Sequence, residues 1–397
     1  MMGSIYLFDV DGVLVLPGGY RASVRATVNA LAQRMGLGPI APSDDVIAIF
    51  ESQGITCEWD MIPILLALGI EAALAQANQT VGVASLQAAI DELPALHLEC
   101  LQIDFAPVLR TLGAYVKVGQ SPAESLLENP PFVLFPRLAR QGVLRDLFSH
   151  TRSLTRSLTT RYFALYALGS EEYRALTGAE APYAAPSLLL QEDRPLLNAA
   201  MREALLTALS ARQVRAAAFT ARPSLPLNPA AEGLAVYAPE AEAALKLVGL
   251  ESLMLVGSGQ MTEAALRLGE NVDRMVKPAA YHALAAALSA WMEDRCAALA
   301  WVEQAFLHFE RGAPAPALPF YQPTDAPWKL CVFEDSPSGM HAVKEAARML
   351  QQLGVPVSVE LSGITTHPEK QRALQREGAV IYTDINEALC ASLSKTS

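Results

Sequence analysis

Short apolar runs bounded by polar or turn residues recur near the start and in the second half of this 397-residue sequence. Runs of about four to eight such residues are typical of strands that are buried on both faces of a sheet. Six strands are predicted in this way, at residues 5–8, 214–219, 253–256, 330–333, 355–361 and 379–382. Segments with helical periodicity, such as residues 195–211 and 369–377, lie between them. Strands alternating with helices predict an α/β fold in which a mostly parallel sheet carries helices on both faces.

A long stretch of different character lies between the first two predicted strands. Residues 20–169 are rich in Ala and Leu, contain few β-branched runs and are divided by prolines, which predicts helices joined by loops. The stretch is long enough to be a domain of its own. We therefore expect a Rossmann-like core of three α/β/α layers, formed by residues 1–16 and 193–397, and a large helical cap inserted at residues 17–192. Residues 386–397 are expected to fray.

The composition limits the partners that the protein can have. Hydrophobic residues make up 52% of the chain, which is ample for a buried core, and the net charge of −11 makes it a poor general ligand for nucleic acid or an anionic membrane. The most lipophilic stretch, residues 61–77, is interrupted by Pro63, Gly69 and Glu71, so it predicts a buried helix rather than a membrane span. Five scattered cysteines without a CxxC pair, and no targeting signal before the first strand, favour a reduced, cytoplasmic protein.

Two carboxylates close the first predicted strand. Residues two apart in an extended segment share a face, so Asp9 and Asp11 project together before Gly12 allows the backbone to turn. Like charges a few ångströms apart repel and desolvation adds to the cost, so a divalent cation between them is the simplest explanation. The alternative is that both aspartates are turn residues, since Asp-Gly is a common turn dipeptide.

Polar residues follow other predicted strands as well. Thr220 follows the second strand, Glu334 and Asp335 follow the fourth, and Lys277 precedes a helix. Ligands of parallel sheets bind beyond the carboxyl ends of the strands, so these side chains are expected to meet at one crevice. Carboxylates are ligands for a hard cation, and a lysine and a hydroxyl can hold the oxygens of an anion. Ser258, which follows the third strand, is the alternative to Thr220 as the hydroxyl.

With these residues in place, the chain resembles the haloacid dehalogenase superfamily of phosphotransferases. The resemblance rests on four short motifs in order, FDVDGV at residues 8–13, AFTARP at 218–223, VKP at 276–278 and FEDSPSGM at 333–340. The first and last of these motifs are specific, particularly together. All four lie in the expected core, whereas the helical insert is similar to the family's cap domain only in position and character.

The resemblance implies a role for each motif residue. Asp9 would be the nucleophile that attacks phosphorus and becomes an aspartyl phosphate, and Asp11 would be the general acid and base. A dehalogenase of the family lacks this second acid, so Asp11 favours phosphate chemistry. Two sets of ligands are also implied: Mg²⁺ would be held by Asp9, the backbone carbonyl of Asp11 and Asp335, with Glu334 close by, and the phosphoryl group would be held by Gly12, Thr220 and Lys277.

The sequence therefore predicts a Mg²⁺-dependent phosphatase that hydrolyses a small phosphorylated metabolite. Two alternatives stay open. A phosphomutase acting on a sugar phosphate would use the same residues but would keep water away from the aspartyl phosphate. A binding protein with the same fold would lack activity, although the presence of every catalytic residue type argues against it. Neither the substrate nor the oligomeric state follows from the sequence.

The helical insert contains a group of arginines in a stretch with few acids. Arg145, Arg152 and Arg156 fall at helical spacing and are predicted to share one helix face. The more common explanation of such a face is exposure to solvent or contact with the core. The alternative hypothesis is that one of these arginines binds an anionic part of the substrate.

Overall fold

The chain forms two compact units in the computed structural model. The core contains Met1–Pro17 and Asp193–Ser397, and the helical insert contains Gly18–Glu192. The first boundary lies one residue after the predicted one, and the second lies at the predicted position. The structure describes residues 4–53, 55, 57–77, 82–98, 101–117, 121–128, 133–228, 238–318 and 328–395.

The described helices and strands divide between the two units. The α-helices of the insert are α1 (Gly19–Arg34), α2 (Asp44–Ser52), α3 (Glu58–Ala77), α4 (Leu86–Glu92), α5 (Ala106–Leu109), α6 (Pro122–Glu128), α7 (Gly142–Phe148), α8 (Leu158–Leu168), α9 (Ser170–Thr177) and α10 (Leu188–Glu192). Those of the core are α11 (Ala199–Ser210), α12 (Glu240–Val248), α13 (Ser258–Leu268), α14 (Ala280–Met292), α15 (Arg295–Arg311), α16 (Pro337–Gln352), α17 (Pro368–Arg376) and α18 (Ile385–Leu393). The strands of the core are β1 (Ser4–Phe8), β2 (Val15–Leu16), β3 (Arg194–Pro195), β4 (Val214–Phe219), β5 (Met254–Val256), β6 (Trp328–Glu334), β7 (Val357–Ile364) and β8 (Val380–Tyr382).

Six of these strands form one parallel sheet in the order β5-β4-β1-β6-β7-β8. They are the six strands that the apolar runs predicted, so the α/β fold with a parallel sheet is confirmed. From β1 the chain proceeds through β4 to β5 on one side, and it then returns to β6 and proceeds through β7 to β8 on the other. The direction of winding therefore changes between β1 and β6, where a sheet of this kind opens a crevice at its carboxyl edge.

Alternating side chains of β1 pack against opposite helix layers. Ile5 and Leu7 belong to a cluster that includes α14 and α16, whereas Tyr6 and Phe8 belong to a cluster that includes α11, α12 and α18. Every residue of β1 is buried, as expected for a strand covered on both faces. The ring of Phe8 stacks on Phe333 of β6 with the centroids 4.8 Å apart. This packing makes the three α/β/α layers and holds the ends of β1 and β6 side by side.

A short pair of antiparallel strands joins the two segments of the core, residues 1–17 and 193–397, at the insertion point. β2 and β3 pair over two residues each. The sequence pattern predicted a helix over residues 195–211, and its start is wrong, because residue 195 pairs in β3 and the helix begins at Ala199. Asn198 caps that helix by accepting a hydrogen bond from the Met201 N–H at 2.9 Å.

Up to residue 395, the last one that the structure describes, the carboxyl-terminal segment does not fray as predicted, and residues 396–397 of that prediction lie outside the described part of the chain. Helix α18 spans most of the segment, and its Ile385 and Leu389 are fully buried. The hydroxyl of Ser392 donates to the Tyr6 hydroxyl at 3.0 Å. Contacts with β1, far away in sequence, therefore order this helix.

The long connection at residues 289–327 adds a helix to one layer of the core. Helix α15 packs against α14, and its Val302 and Phe306 are fully buried in the same cluster as β1 residues. Residues 319–327 of this connection lie outside the described part of the chain.

Helix α3 is long and apolar enough to cross a membrane by length and composition. Most of its apolar stretch is buried within the insert, where it packs against α1, α6, α7 and α8. The prediction of a buried helix at residues 61–77 is consistent with this packing.

Candidate active site

Asp9 directly follows β1 at the centre of the sheet. Its N–H donates to the Phe333 carbonyl at 3.0 Å, which continues the pairing with β6, and its Oδ1 accepts a hydrogen bond from the Val10 N–H at 2.8 Å. The residue is 5% exposed. Burial, followed by the charge of Glu334, raises the pKa of Asp9 well above its ordinary value, although Lys277 opposes both effects. The carboxylate is therefore fixed in direction and poorly solvated.

The ammonium group of Lys277 lies between two buried carboxylates. Its Nζ is 2.7 Å from Asp9 Oδ1 and 2.8 Å from Glu334 Oε1, and it lies 4.8 Å from the centroid of the Phe219 ring. Burial alone would lower the pKa of Lys277, but the two carboxylates outweigh it and the pKa is raised. Lys277 is therefore a fixed positive charge beside Asp9.

His282 holds the backbone of Lys277, a role that the sequence did not reveal. The Lys277 N–H donates to His282 Nδ1 at 3.2 Å, so the ring proton is on Nε2, which lies 3.0 Å from the Val256 carbonyl. Burial lowers the pKa of His282 to about 3, which keeps the ring neutral, as this pair of contacts requires. His282 is thus a positioning residue for the lysine.

Glu334 and Asp335 end β6 next to Asp9. Glu334 is fully buried, and its Oε2 accepts hydrogen bonds from the N–H and the hydroxyl of Ser336, both at 2.9 Å. The carboxylate of Asp335 forms an ion pair with Lys370 of α17. Burial raises the pKa of Asp335, although Lys370 counteracts it.

Gly12 makes room for Asp335. Its φ is 75°, and a Cβ at this position would lie 2.5 Å from Asp335 Oδ2, so both the turn and the close approach require glycine. The Gly12 N–H donates to the Val15 carbonyl at 2.8 Å. The resemblance implies phosphate binding by Gly12, but the N–H of this residue closes the turn in this structure.

Three carboxylates form a candidate metal site. Ligand oxygens of Asp9, Glu334 and Asp335 all lie within 4.8 Å of one another. Mg²⁺ prefers carboxylate oxygens, and a divalent cation offsets the mutual repulsion of three carboxylates. The donor set therefore fits Mg²⁺. The side chain of Asp11 does not belong to this group, and the family resemblance gave only its backbone carbonyl to the metal.

Thr220 follows β4, the strand that pairs directly with β1. It is 1% exposed, and its Oγ1 accepts a hydrogen bond from the Arg222 N–H at 3.2 Å. The alternative hydroxyl, Ser258, follows β5 at the edge of the sheet and donates to the Arg222 carbonyl at 3.1 Å. The topology therefore favours Thr220 as the hydroxyl next to Asp9, and Ser258 stabilises the loop after β4.

A buried arginine connects Asp11 with the insertion point. Nε of Arg222 lies 3.0 and 2.9 Å from the two carboxylate oxygens of Asp11, and its Nη2 lies 3.0 Å from Asp193 Oδ2. The side chains of Arg222 and Asp193 are each 1% exposed. Arg222 was part of the AFTARP motif but received no role from the sequence. The only signal for it was a positive charge two residues after a hydroxyl at a strand end.

The predicted arginine face of the insert is not observed. Arg145 lies on α7, which ends before His150, whose φ of 60° is left-handed. Arg152 and Arg156 therefore lie in the loop before α8. Arg152 pairs with the fully buried Asp60, with Nη2 2.6 Å from Oδ2. The prediction fails because residue spacing did not detect the end of α7.

Substitution of Gly339 tests how tightly Glu334 is held. A Cβ at this position of α16 would lie 1.7 Å from Glu334 Oε1, and Lys277 and Ser336 hold that carboxylate in place. Replacing a helical glycine by alanine usually stabilises by about 0.5–1 kcal/mol, but overpacking costs about 1–3 kcal/mol. We expect Gly339→Ala to lower the free energy of unfolding, measured with urea, by about 1–2 kcal/mol.

Gly82 provides the control for this measurement, because a Cβ there meets no atom of the described residues within 4 Å. Gly82→Ala should leave the free energy of unfolding unchanged or raise it slightly. Equal stabilities of the two variants would show that Glu334 moves aside without cost.

Comparisons with known proteins give the fold and no activity. No protein-family model matches the chain, and no curated protein matches it. Among solved structures, the X-ray structure of a Northeast Structural Genomics Consortium target is similar over 100% of both chains, with a TM-score of 0.65 and 15% sequence identity. Its name states no function. Such a likeness shows the fold alone, so the function has to be argued from the site.

Proposed function

We propose that this chain is a Mg²⁺-dependent phosphatase of the haloacid dehalogenase superfamily, and that it hydrolyses a small phosphorylated metabolite through an aspartyl phosphate. The observation that supports this most is the group of Asp9, Glu334 and Asp335 beside Lys277, after β1 and β6. Asp335 is only partly buried and has Lys370 as a partner, but Asp9 and Glu334 share one buried lysine. A purely structural ion pair does not need this excess of negative charge, whereas a cation-dependent site does.

Asp9 is the nucleophile in this proposal, because its carboxylate follows the central strand β1 and is held in place by the Val10 N–H and the Lys277 ammonium group. Its attack forms a bond between an Asp9 oxygen and phosphorus and breaks the bond to the leaving oxygen. Lys277 reduces the repulsion between this carboxylate and the phosphate dianion. The Thr220 hydroxyl donates a hydrogen bond to a phosphoryl oxygen. Mg²⁺ held by the three carboxylates would supply further neutralisation of the transferring group.

Asp11 moves the proton in this proposal. Its carboxyl group gives a proton to the leaving oxygen in the first step and takes one from the attacking water in the second. Arg222 fixes the direction of that carboxylate through both of its oxygens. The core contacts suit any phosphate monoester, so they do not by themselves select a substrate.

Hydrolysis of p-nitrophenyl phosphate tests the proposal. We expect release of p-nitrophenolate with Mg²⁺, no release in EDTA, and recovery when Mg²⁺ is restored. The covalent step is tested separately by borohydride reduction during turnover and peptide mass spectrometry, which should locate homoserine at position 9. Failure to turn over any phosphate ester with any divalent ion would favour a binding protein.

Asp335→Asn is expected to weaken Mg²⁺ binding at least about tenfold, since it removes the charge of one of three ligands. The fold should not change, because asparagine has nearly the same shape as aspartate and the lost ion pair is with Lys370, whose side chain is 52% exposed. Isothermal titration calorimetry with Mg²⁺ measures the affinity. Lys370→Gln is the matched control, because it removes the other partner of the same carboxylate, and it should leave the affinity equal or higher. Wild-type affinity in Asp335→Asn would show that the remaining carboxylates hold the cation without it.

A further inference from the structure

A cavity of about 350 Å³ lies within the helical insert. Its walls come from the start of α4, from α7 and from the start of α8. Two arginines, Arg156 and Arg161, line it together with Asp146 and several hydroxyl groups. None of these residues belongs to the carboxylate site of the core, so the cavity needs its own explanation.

The charges around the cavity are unbalanced. Among the described residues, neither Arg156 nor Arg161 has an acidic partner within ion-pair distance, and the Nε of Arg161 is buried without a hydrogen-bond acceptor. The lining carboxylate, Asp146, already accepts a hydrogen bond from the Leu86 N–H at 2.8 Å. The cavity is thus lined by two positively charged guanidinium groups and one carboxylate, which already accepts a hydrogen bond. The lining has a net positive charge that an anion would neutralise.

The start of α8 adds a positive electrostatic potential and hydroxyl groups to the cavity. Ser157 caps this eleven-residue helix by accepting a hydrogen bond from the Thr160 N–H at 3.2 Å, and Ser157, Leu158 and Thr159 all line the cavity. The positive end of the helix dipole therefore points toward the cavity. The hydroxyls of Ser157 and Thr159, 2.8 Å apart, add hydrogen-bonding groups.

We propose that this cavity binds a small molecule through an oxyanion, either a carboxylate or a phosphoryl group, held by Arg156 and Arg161. Both guanidinium-bearing side chains border the same cavity beside the N-terminus of α8, and no acidic side chain of the described residues pairs with either of them. The volume lies in the range of small-molecule sites. The inference goes beyond the proposed phosphatase activity, which uses none of these residues.

Calorimetric titration of the whole 397-residue chain in EDTA tests the proposal, with inorganic phosphate and malonate as separate probes. At least one probe should bind saturably. Arg156→Gln should weaken that binding at least about tenfold, as for the loss of a charged hydrogen bond. Arg161→Lys should weaken it too, because a lysine keeps the charge but loses the planar fork. Phosphate binding without malonate binding would identify a phosphoryl ligand. Malonate binding without phosphate binding would identify a carboxylate ligand.

Arg145→Gln is the matched control, because this arginine lies on α7 but does not line the cavity, and it should bind both probes as the wild type does. Arg156 is exposed, so its replacement should leave the circular dichroism spectrum and the hydrolysis of p-nitrophenyl phosphate unchanged. Absence of saturable binding, or equal binding by Arg156→Gln and the wild type, would overturn the proposal. Binding without any phosphatase activity would support the cavity and reject the proposed function.

Discussion

Asp9→Asn is expected to reduce kcat for phosphate-ester hydrolysis by about 10⁴-fold or more, as when a covalent nucleophile is removed. The amide keeps the shape of the side chain and can still accept the hydrogen bond from the Val10 N–H, but it is a far weaker nucleophile than a carboxylate. Steady-state hydrolysis of p-nitrophenyl phosphate with Mg²⁺ measures the loss. Calorimetric titration with the same ester, under conditions without turnover, should show that binding is retained.

The same substitution should not destabilise the metal-free protein. Burial and Glu334 raise the pKa of Asp9 in the folded state. An acid whose pKa is raised by folding contributes stability only at low pH, and that contribution is lost as the pH rises through the folded-state value. At neutral pH Asp9 therefore costs stability, and the amide removes this cost while Lys277 keeps Glu334 as its partner.

Thermal unfolding in EDTA should accordingly give an equal or higher Tm for Asp9→Asn. A much lower Tm would mean that the lost turnover reflects a damaged fold. Turnover close to that of the wild type would reject Asp9 as the nucleophile.

The sheet could be predicted from the sequence because buried parallel strands are continuous apolar runs that end in polar or turn residues. All six predicted strands occur in it. The start of α11 could not be predicted, since it depends on the pairing of β3 with β2, about 180 residues earlier in the chain. The formation of an ordered α18 at the carboxyl terminus could not be predicted either, since it depends on a contact with Tyr6 at the opposite end of the sequence.

Residue type and strand position were sufficient to predict the carboxylates and Thr220, because parallel strands bring their carboxyl ends to one edge. Positioning residues gave no comparable signal. Arg222 meets Asp11 across 211 residues of sequence, and His282 acts through backbone groups that any residue could provide. The prediction of one arginine face failed for a local reason, because His150, in the left-handed conformation, lies after the end of α7 and interrupts the assumed helix.

Removing the proton-transfer group should slow the two chemical steps differently. In Asp11→Asn, cleavage of an alkyl phosphate should fall by about 10²–10⁴-fold, because its leaving oxygen needs a proton. The p-nitrophenolate leaving group needs none, so the first step with that ester should remain fast. Water must still be deprotonated in the second step, so steady-state turnover of both esters should fall. Rapid-mixing experiments with p-nitrophenyl phosphate should then show a burst of product followed by slow turnover.

Arg222→Lys should reproduce this pattern more weakly, with a loss of about tenfold to a hundredfold in alkyl phosphate cleavage, as expected for a misdirected catalytic group. Lysine keeps a positive charge for Asp11 and Asp193, but it cannot contact both oxygens of one carboxylate in the fixed geometry of a guanidinium. The burst with p-nitrophenyl phosphate should persist, because that step does not require Asp11. If Arg222→Lys suppressed the burst and the steady state equally, Arg222 would act on the fold or on the phosphate rather than through Asp11.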